Sequence, residues 1–497
     1  MDVEQLKADV AAGRISLERL VDLIGMLQRQ LAKSERRVAE LEKKFGLTPD
    51  KKLDEPYSMR AEEQRQLARE GRRRKRTKPQ RRGRITTAQK LALATRTERV
   101  FPEGVAAKDC WHSHTRPLWR LIDGRAELVA YEIYRGPKNQ YGQIPGSLGR
   151  SEFGLEIVVA IAYQVYVVGL SFDKVCLLLN FFQGLQLRKS QADALLNQLS
   201  RHWEEQFETL CSLLTHSAIV YADETSWSIH SVWALLSEQA RLLICGVHKD
   251  GQTLAAILDP ESFAGTVVSD DASVYGGFSN SQKCWAHLLR KAIKLTLLEP
   301  TDAGYREFTD RLLEIYRGAC RVKRDGRLND LGRKLRVVAL DDEIVELCAA
   351  IWAQELPSSE GPANDFRLLC NELMRLMIDQ QLFVFVTTAS ATAPNGETLA
   401  VAGTNNESER TLRSSAEARK TGRTSKTLRG ARRRTVIGSV LDSLRRYLPD
   451  IRLSSVIAEL QRWSTEGQSC FQKLLKRLKI PEPTKSILNQ LYPKPAR

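Results

Sequence analysis

Two aspartates stand where apolar runs end. The run Ala218-Ile219-Val220-Tyr221-Ala222 leads into Asp223, and Gly265-Thr266-Val267-Val268-Ser269 leads into Asp270. Short apolar runs bounded by turn residues read as buried strands, so both carboxylates are expected at strand ends. Carboxylate oxygens are the ligands that hard cations such as Mg2+ or Mn2+ prefer. Two such ions, about 3.5–4 Å apart, stabilise both the attacking and the leaving oxygen of an in-line phosphoryl transfer. Aspartate also caps helices and opens turns in any fold, so either residue alone carries little weight. Their meaning as a pair depends on whether the intervening elements bring the two strands side by side.

The text between them supports that arrangement. Residues 231–236 and 241–247 read as two further strands joined by short turns, which suggests an antiparallel meander, and residues 253–258 read as a helix. Strand, strand, strand, helix, strand is the order of a ribonuclease-H-like core, in which carboxylates on two neighbouring strands converge. Clustered carboxylates repel one another and raise at least one pKa, so metal binding and ionisation are expected to be coupled.

The remainder of the 497-residue chain divides by composition. Within residues 1–50, Leu20, Ile24, Leu27, Leu31, Val38, Leu41 and Phe45 recur at steps of three and four, interrupted by Ser34, as in a coiled coil that mediates self-association. Residues 51–100 form a basic arm carrying Arg72, Arg73, Arg74, Lys75, Arg76, Lys78, Arg81, Arg82 and Arg84, suited to DNA phosphates. Residues 101–150 hold Cys110, His112 and His114 before strand-like text at 127–134; no second cysteine pair completes a tetrahedral set, so a small module without zinc is expected. Residues 151–215 read as helical, with one helix at 155–168 and another at 192–213.

With 76 Lys+Arg against 60 Asp+Glu, the formal charge of +16 points to a polyanionic partner, and nucleic acid fits better than membrane. There is no run of about 18 apolar residues, no signal-peptide pattern and no lipidation motif, so a soluble, cytoplasmic, nucleoid-associated protein is expected. Nine scattered cysteines without a CxxC pair read as reduced thiols.

Four blocks together resemble the insertion-sequence-66 family of bacterial DDE transposases. They are Asp223-Glu224-Thr225-Ser226-Trp227; Ser269-Asp270 with Tyr275; Cys284-Trp285-Ala286-His287 with Arg290-Lys291; and Asn405-Asn406-Glu407-Ser408-Glu409-Arg410 with Leu412-Arg413. The resemblance spans residues 149–448. It implies an α/β fold: a ribonuclease-H-like core at 216–300 and 386–450, interrupted by a helical insertion at 301–385 and followed by a helical tail at 451–497. It also implies a catalytic and metal-binding triad of Asp223, Asp270 and Glu409, the last chosen over Glu407 by its place in the block. Asp223 would bridge two Mg2+ or Mn2+ ions, with Asp270 and Glu409 each completing one.

The implied activity is metal-dependent cleavage at transposon ends, after which the freed 3′-hydroxyl attacks target DNA. DNA and a homodimer or higher homo-oligomer are the implied partners. Alternatives are a metal-dependent nuclease without strand transfer and a non-catalytic DNA-binding regulator. The basic residues after the triad, among them Arg410, Arg413, Arg419, Lys420 and Arg423 and continuing through Arg432, Arg433 and Arg434, are expected to contact phosphates. Residues 435–447 are expected to form the closing helix. Trp227 reads either as a base-stacking residue or as an ordinary core tryptophan. Cys284 and His287, in C-x-x-H spacing, read as structural residues near the site. The chain departs from the pattern at Asp271, where a glycine usually follows the second aspartate, and at Ser414, where proline usually follows the Leu-Arg pair.

Overall fold

The structure is a computed structural model that describes residues 85–352, 361–481 and 486–493. All of them belong to one compact unit, Arg72–Arg497. The heptad segment and the arm from Arg72 to Arg84 lie outside the described residues.

A short helix, α1 (Thr87–Ala92), precedes a three-stranded sheet of β1 (Arg96–Val100), β2 (Trp111–Ile122) and β3 (Arg125–Arg135), ordered β1-β3-β2. Asp123 and Gly124 join β2 to β3 with positive φ at both residues, as a two-residue type I′ hairpin turn requires. Strand β2 is absent from the sequence reading, although Asp-Gly between two strand-length segments was a usable signal. His112 and His114 lie on β2 either side of a register shift and bond locally, to Thr115 (3.0 Å) and Ser113 (3.2 Å).

Four helices follow: α2 (Leu155–Tyr166), α3 (Phe172–Gln183), α4 (Lys189–His202) and α5 (Glu204–Thr215). The single helix expected over 192–213 is thus two, divided at Trp203, whose backbone leaves the helical region and whose ring is fully buried. The apolar spacing Leu196, Leu199, Trp203, Phe207, Leu210 runs on unbroken, so periodicity alone does not reveal the bend.

The main sheet has five strands: β4 (Ile219–Ser226), β5 (Ser231–Ser237), β6 (Arg241–Val247), β7 (Thr266–Ser269) and β8 (Ser281–Lys283), with α6 (Gly251–Ala255) between β6 and β7. Their order is β6-β5-β4-β7-β8; β5 is antiparallel to β4 and β6, whereas β7 runs parallel to both β4 and β8. The meander and the fourth strand match the sequence expectation. Strand β8 was not foreseen, since three residues are too few to show a period.

Next come α7 (Trp285–Leu298), α8 (Ala303–Arg324), α9 (Asp330–Cys348), α10 (Pro362–Ile378) and α11 (Val384–Thr387). Ile219, Tyr221 and Val268 of the sheet share one buried cluster with Trp285, Leu312, Ile344 and Leu373 from these helices. A two-stranded ribbon, β9 (Ala391–Thr392) with β10 (Thr398–Leu399), then leads to α12 (Asn406–Lys420) and α13 (Leu428–Ser443). The tail consists of α14 (Leu453–Glu466), α15 (Cys470–Arg477) and α16 (Ile487–Leu491).

Helix α13 begins seven residues earlier than expected and covers the free edge of β6. The N–H groups of Arg241, Leu243 and Cys245 donate to the hydroxyls of Ser443, Ser439 and Thr435, each at 2.9 Å. Four helical residues rise about 6 Å and two strand residues about 6.8 Å, so hydroxyls at i, i+4 and i+8 keep step with alternate edge amides. An edge that would otherwise template further strand pairing is closed without another strand.

Candidate active site

The register of the sheet explains how the two aspartates meet. Parallel pairing of β4 with β7 runs from Ile219↔Thr266 to Tyr221↔Val268. Two residues further along each strand come Asp223 and Asp270, level with each other and on the same face, because side chains alternate with period two. Strand β4 itself continues to Ser226, paired only with β5. Asp223 is therefore inside β4, at the point where β7 leaves it.

Glu409 arrives on α12, whose start is tied to this end of the sheet. The Tyr221 hydroxyl donates to the Ala400 carbonyl (2.7 Å) and accepts from the Ala402 N–H (2.9 Å). The Asn405 side-chain amide donates to the Ala222 carbonyl (2.8 Å), and its backbone N–H donates to the Cys284 sulfur (3.1 Å). The Trp285 N–H donates to the Gly403 carbonyl (2.8 Å). One helical turn beyond Asn405, Glu409 accepts from Arg290 (2.6 Å) and lies 3.7 Å from His287 Nδ1.

Electrostatics tie the acidic groups together. Burial pushes the Asp223 carboxyl up to about 7, assisted by the charges of Glu224, Asp270 and Glu409 and opposed by the hydrogen bond it accepts from the Glu224 N–H. Burial also lowers the pKa of Lys283 against the pull of Asp271 and Asp270, and lowers that of His287, with Arg290 adding to the effect. Asp271, next to the candidate, is paired with Arg375 of α10. Glu407 faces away from the cluster: Arg241 binds it at 2.8 Å and also holds Asp442 at 2.8 Å.

Two participants escaped the sequence reading. Glu224 follows Asp223 and so points to the opposite face, where its almost fully buried carboxylate accepts from the Tyr275 hydroxyl and pairs with Lys249. The Asp-Glu doublet was visible in the sequence; that its second member would be buried and paired was not. Lys249, from the loop after β6, also feels Asp270 and Asp223, which together raise its pKa after the larger effect of Glu224.

A family model described as Transposase IS66 family matches residues 150–433, more than half of the chain, with Asp223, Asp270 and Glu409 inside the match. The chain belongs to that family. No curated protein matches it. Membership brings transposase-type function, DNA as partner and the use of divalent metal. Among the described residues of this transposase, no helix is long and apolar enough to cross a membrane.

The other sequence-selected residues fall into two groups. Arg410, Arg413, Arg419, Lys420 and Arg423 are exposed, along α12 and the loop after it. The expectation that the basic run contacts phosphates through to Arg434 is corrected at its end: Arg432 binds Glu204 (3.1 Å), Arg433 binds Asp193 and the Tyr166 hydroxyl (2.7 Å), and Arg434 is buried over the Trp227 ring. These three arginines sit inside α13, and that helix packs on the helical region rather than opening to solvent. Trp227 is itself buried, with its ring against Arg434. Among the described residues, the only group of three or more potential ligand side chains within mutual reach is Cys284, His287 and Glu409, whose donor atoms lie within 4.8 Å of one another. The Cys284 sulfur already accepts the Asn405 N–H, which puts it in structural use at the junction of α7 and α12.

Proposed function

We propose that this transposase cuts and joins DNA at a site formed by Asp223, Asp270 and Glu409, which hold two Mg2+ or Mn2+ ions. The observation that carries this reading is the Asp223 carboxyl, raised to about 7 by burial among other carboxylates. Carboxylates within electrostatic reach of one another offer hard oxygen donors that fit a divalent ion, which would offset the repulsion that burial amplifies. When bound, the ions supply a nucleophile at neutral pH and offset charge on the transferring phosphoryl group. The protein side chains do the rest. Arg290 holds Glu409 on its helix, and the bonds of Asn405 and Tyr221 fix that helix against β4. Arg410, Arg413, Arg419, Lys420 and Arg423 bind the DNA backbone and set its register, as phosphate contacts do.

The strand order supports a ribonuclease-H-like core, with three antiparallel strands, a helix, and a fourth strand beside the first. Helices α8 to α10 then act as the insertion between Asp270 and Glu409. Self-association through residues 1–50, DNA contact through the basic residues from Arg72 to Arg84 and end binding through 101–150 complete the reading, which places the protein with DNA in the cytoplasm. Cleavage and strand transfer on DNA carrying the cognate ends test the reading. Asp223→Ala, Asp270→Ala and Glu409→Ala should each abolish both reactions while DNA binding persists, and activity retained in all three overturns it. Cleavage without joining of a pre-cut 3′-end identifies a nuclease instead.

A further inference from the structure

Helix α9 of the insertion turns Leu340, Ile344 and Cys348 toward the core. Its opposite face is also apolar. Leu331 and Leu335 are 65% exposed, Val338 57% and Val345 37%. Their spacing of four, three and seven is that of a heptad seam, with Asp342 at the one position where an apolar residue is missing. A helix of 19 residues presenting such a stripe is about 28 Å long and, among the described residues, packs only its other side.

The charges beside the stripe are divided. Lys334 lies beside it in the N-terminal half, and Asp341 and Glu346 in the C-terminal half. None of the three is ion-paired to a described residue, although neighbours on the same helix are: Arg333 with Asp330 (3.5 Å) and Glu343 with Arg311 (3.2 Å). Lys334 and Asp341 are seven residues apart and so occupy the same flank of the seam. In an antiparallel pair, the flank of one helix meets the same flank of the other in reverse order. Lys334 then faces Asp341 of the second helix, and Asp341 faces its Lys334. A parallel pair would instead bring like charges together.

We propose that α9 is an interface with a second copy of this chain, packed antiparallel across a two-fold axis near Val338. The pattern is self-complementary in both apolar stripe and charge, which an isologous contact demands. This interface is separate from the N-terminal heptad segment and needs neither DNA nor metal, so its test stands apart from that of the catalytic reading.

The experiment is site-directed crosslinking of the full-length chain. Val338→Cys lies beside the axis and should yield a disulfide-linked dimer on mild oxidation with copper phenanthroline, above the background of the wild-type cysteines. Adding Lys334→Glu should cut the crosslinking rate about tenfold by setting Glu against Asp341 of the other copy, and adding Asp341→Lys to that variant should restore it. Absence of a dimer specific to Val338→Cys overturns the proposal. So does loss on Lys334→Glu without recovery on Asp341→Lys, because only the antiparallel self-pair predicts the rescue. If the stripe were covered by another segment of the same chain, Val338→Cys would leave the chain monomeric under oxidation, which also counts against it.

Discussion

Helix α12 carries two glutamates two residues apart that live in opposite electrostatic worlds. Glu407 lies against Arg241, and although burial opposes ionisation, the hydrogen bond and charge of that guanidinium hold its carboxyl below the usual range. Arg241 in turn spans Glu407 and Asp442, so the charges on that side are matched within the fold. Glu409 is bonded to Arg290, yet it faces a cluster in which burial and the neighbouring acidic charges push the Asp223 carboxyl up to about 7. An acid compensated within the fold on one side of the helix, and a carboxyl with a raised pKa on the other, mark the second side as the one where an arriving cation would change the charge balance.

The comparison can be broken most decisively by exchanging the two roles. Glu409→Gln should lower metal-dependent DNA cleavage by about a thousandfold or more, the scale of losing several kcal/mol of charge stabilisation in the transition state. Glu407→Gln should leave cleavage within a few fold at a temperature where the variant is folded. Equal losses in a strand-cleavage assay would erase the distinction between the two sides.

Next in size is the matched side itself. Arg241→Ala strands Glu407 and Asp442 without their shared partner, and a broken, largely buried pair of this kind costs about 3 kcal/mol once partial exposure of the acids is discounted. Urea denaturation should read that loss, and a change below about 1 kcal/mol would mean that the network contributes no more than a surface pair. Ser439→Ala removes the hydroxyl that accepts the Leu243 N–H at the covered sheet edge and should cost about 1–2 kcal/mol by the same measurement.

The smallest effect concerns pH. Asp223 has its pKa raised in the folded protein, so the folded state binds the extra proton between the ordinary carboxylate range and about 7, and stability without metal falls as pH rises through that window. Asp223→Asn removes the ionised carboxylate. In the metal-free protein it should raise the thermal midpoint by a few degrees at pH 8, and by much less at pH 5, where the wild-type group is already neutral. Equal stabilisation at both pH values would show that the carboxyl is not held in its neutral form.

Much of the fold was legible. Apolar runs and turns located β4 to β7, and helical spacing located α2, because those signals are local. The bend at Trp203 was not legible, since the apolar spacing continues through it, nor was β8, which is too short to carry a pattern. The basic run failed differently: Arg432, Arg433 and Arg434 look like Arg410 and Arg413 in composition, and only their burial against Asp193, Glu204 and Trp227 separates the two sets.

The sequence by itself determined the residue types, the strands that lead into Asp223 and Asp270, and the block that singles out Glu409, all within stretches of a few residues. Tertiary structure alone decided that Glu407 would be matched by Arg241, that Glu224 would be buried beside the site, and that α13 would close the sheet edge. These outcomes join residues as much as about 200 positions apart. Secondary structure follows from nearest neighbours along the chain, whereas the compensation of a buried charge depends on which side chains packing brings within a few ångströms.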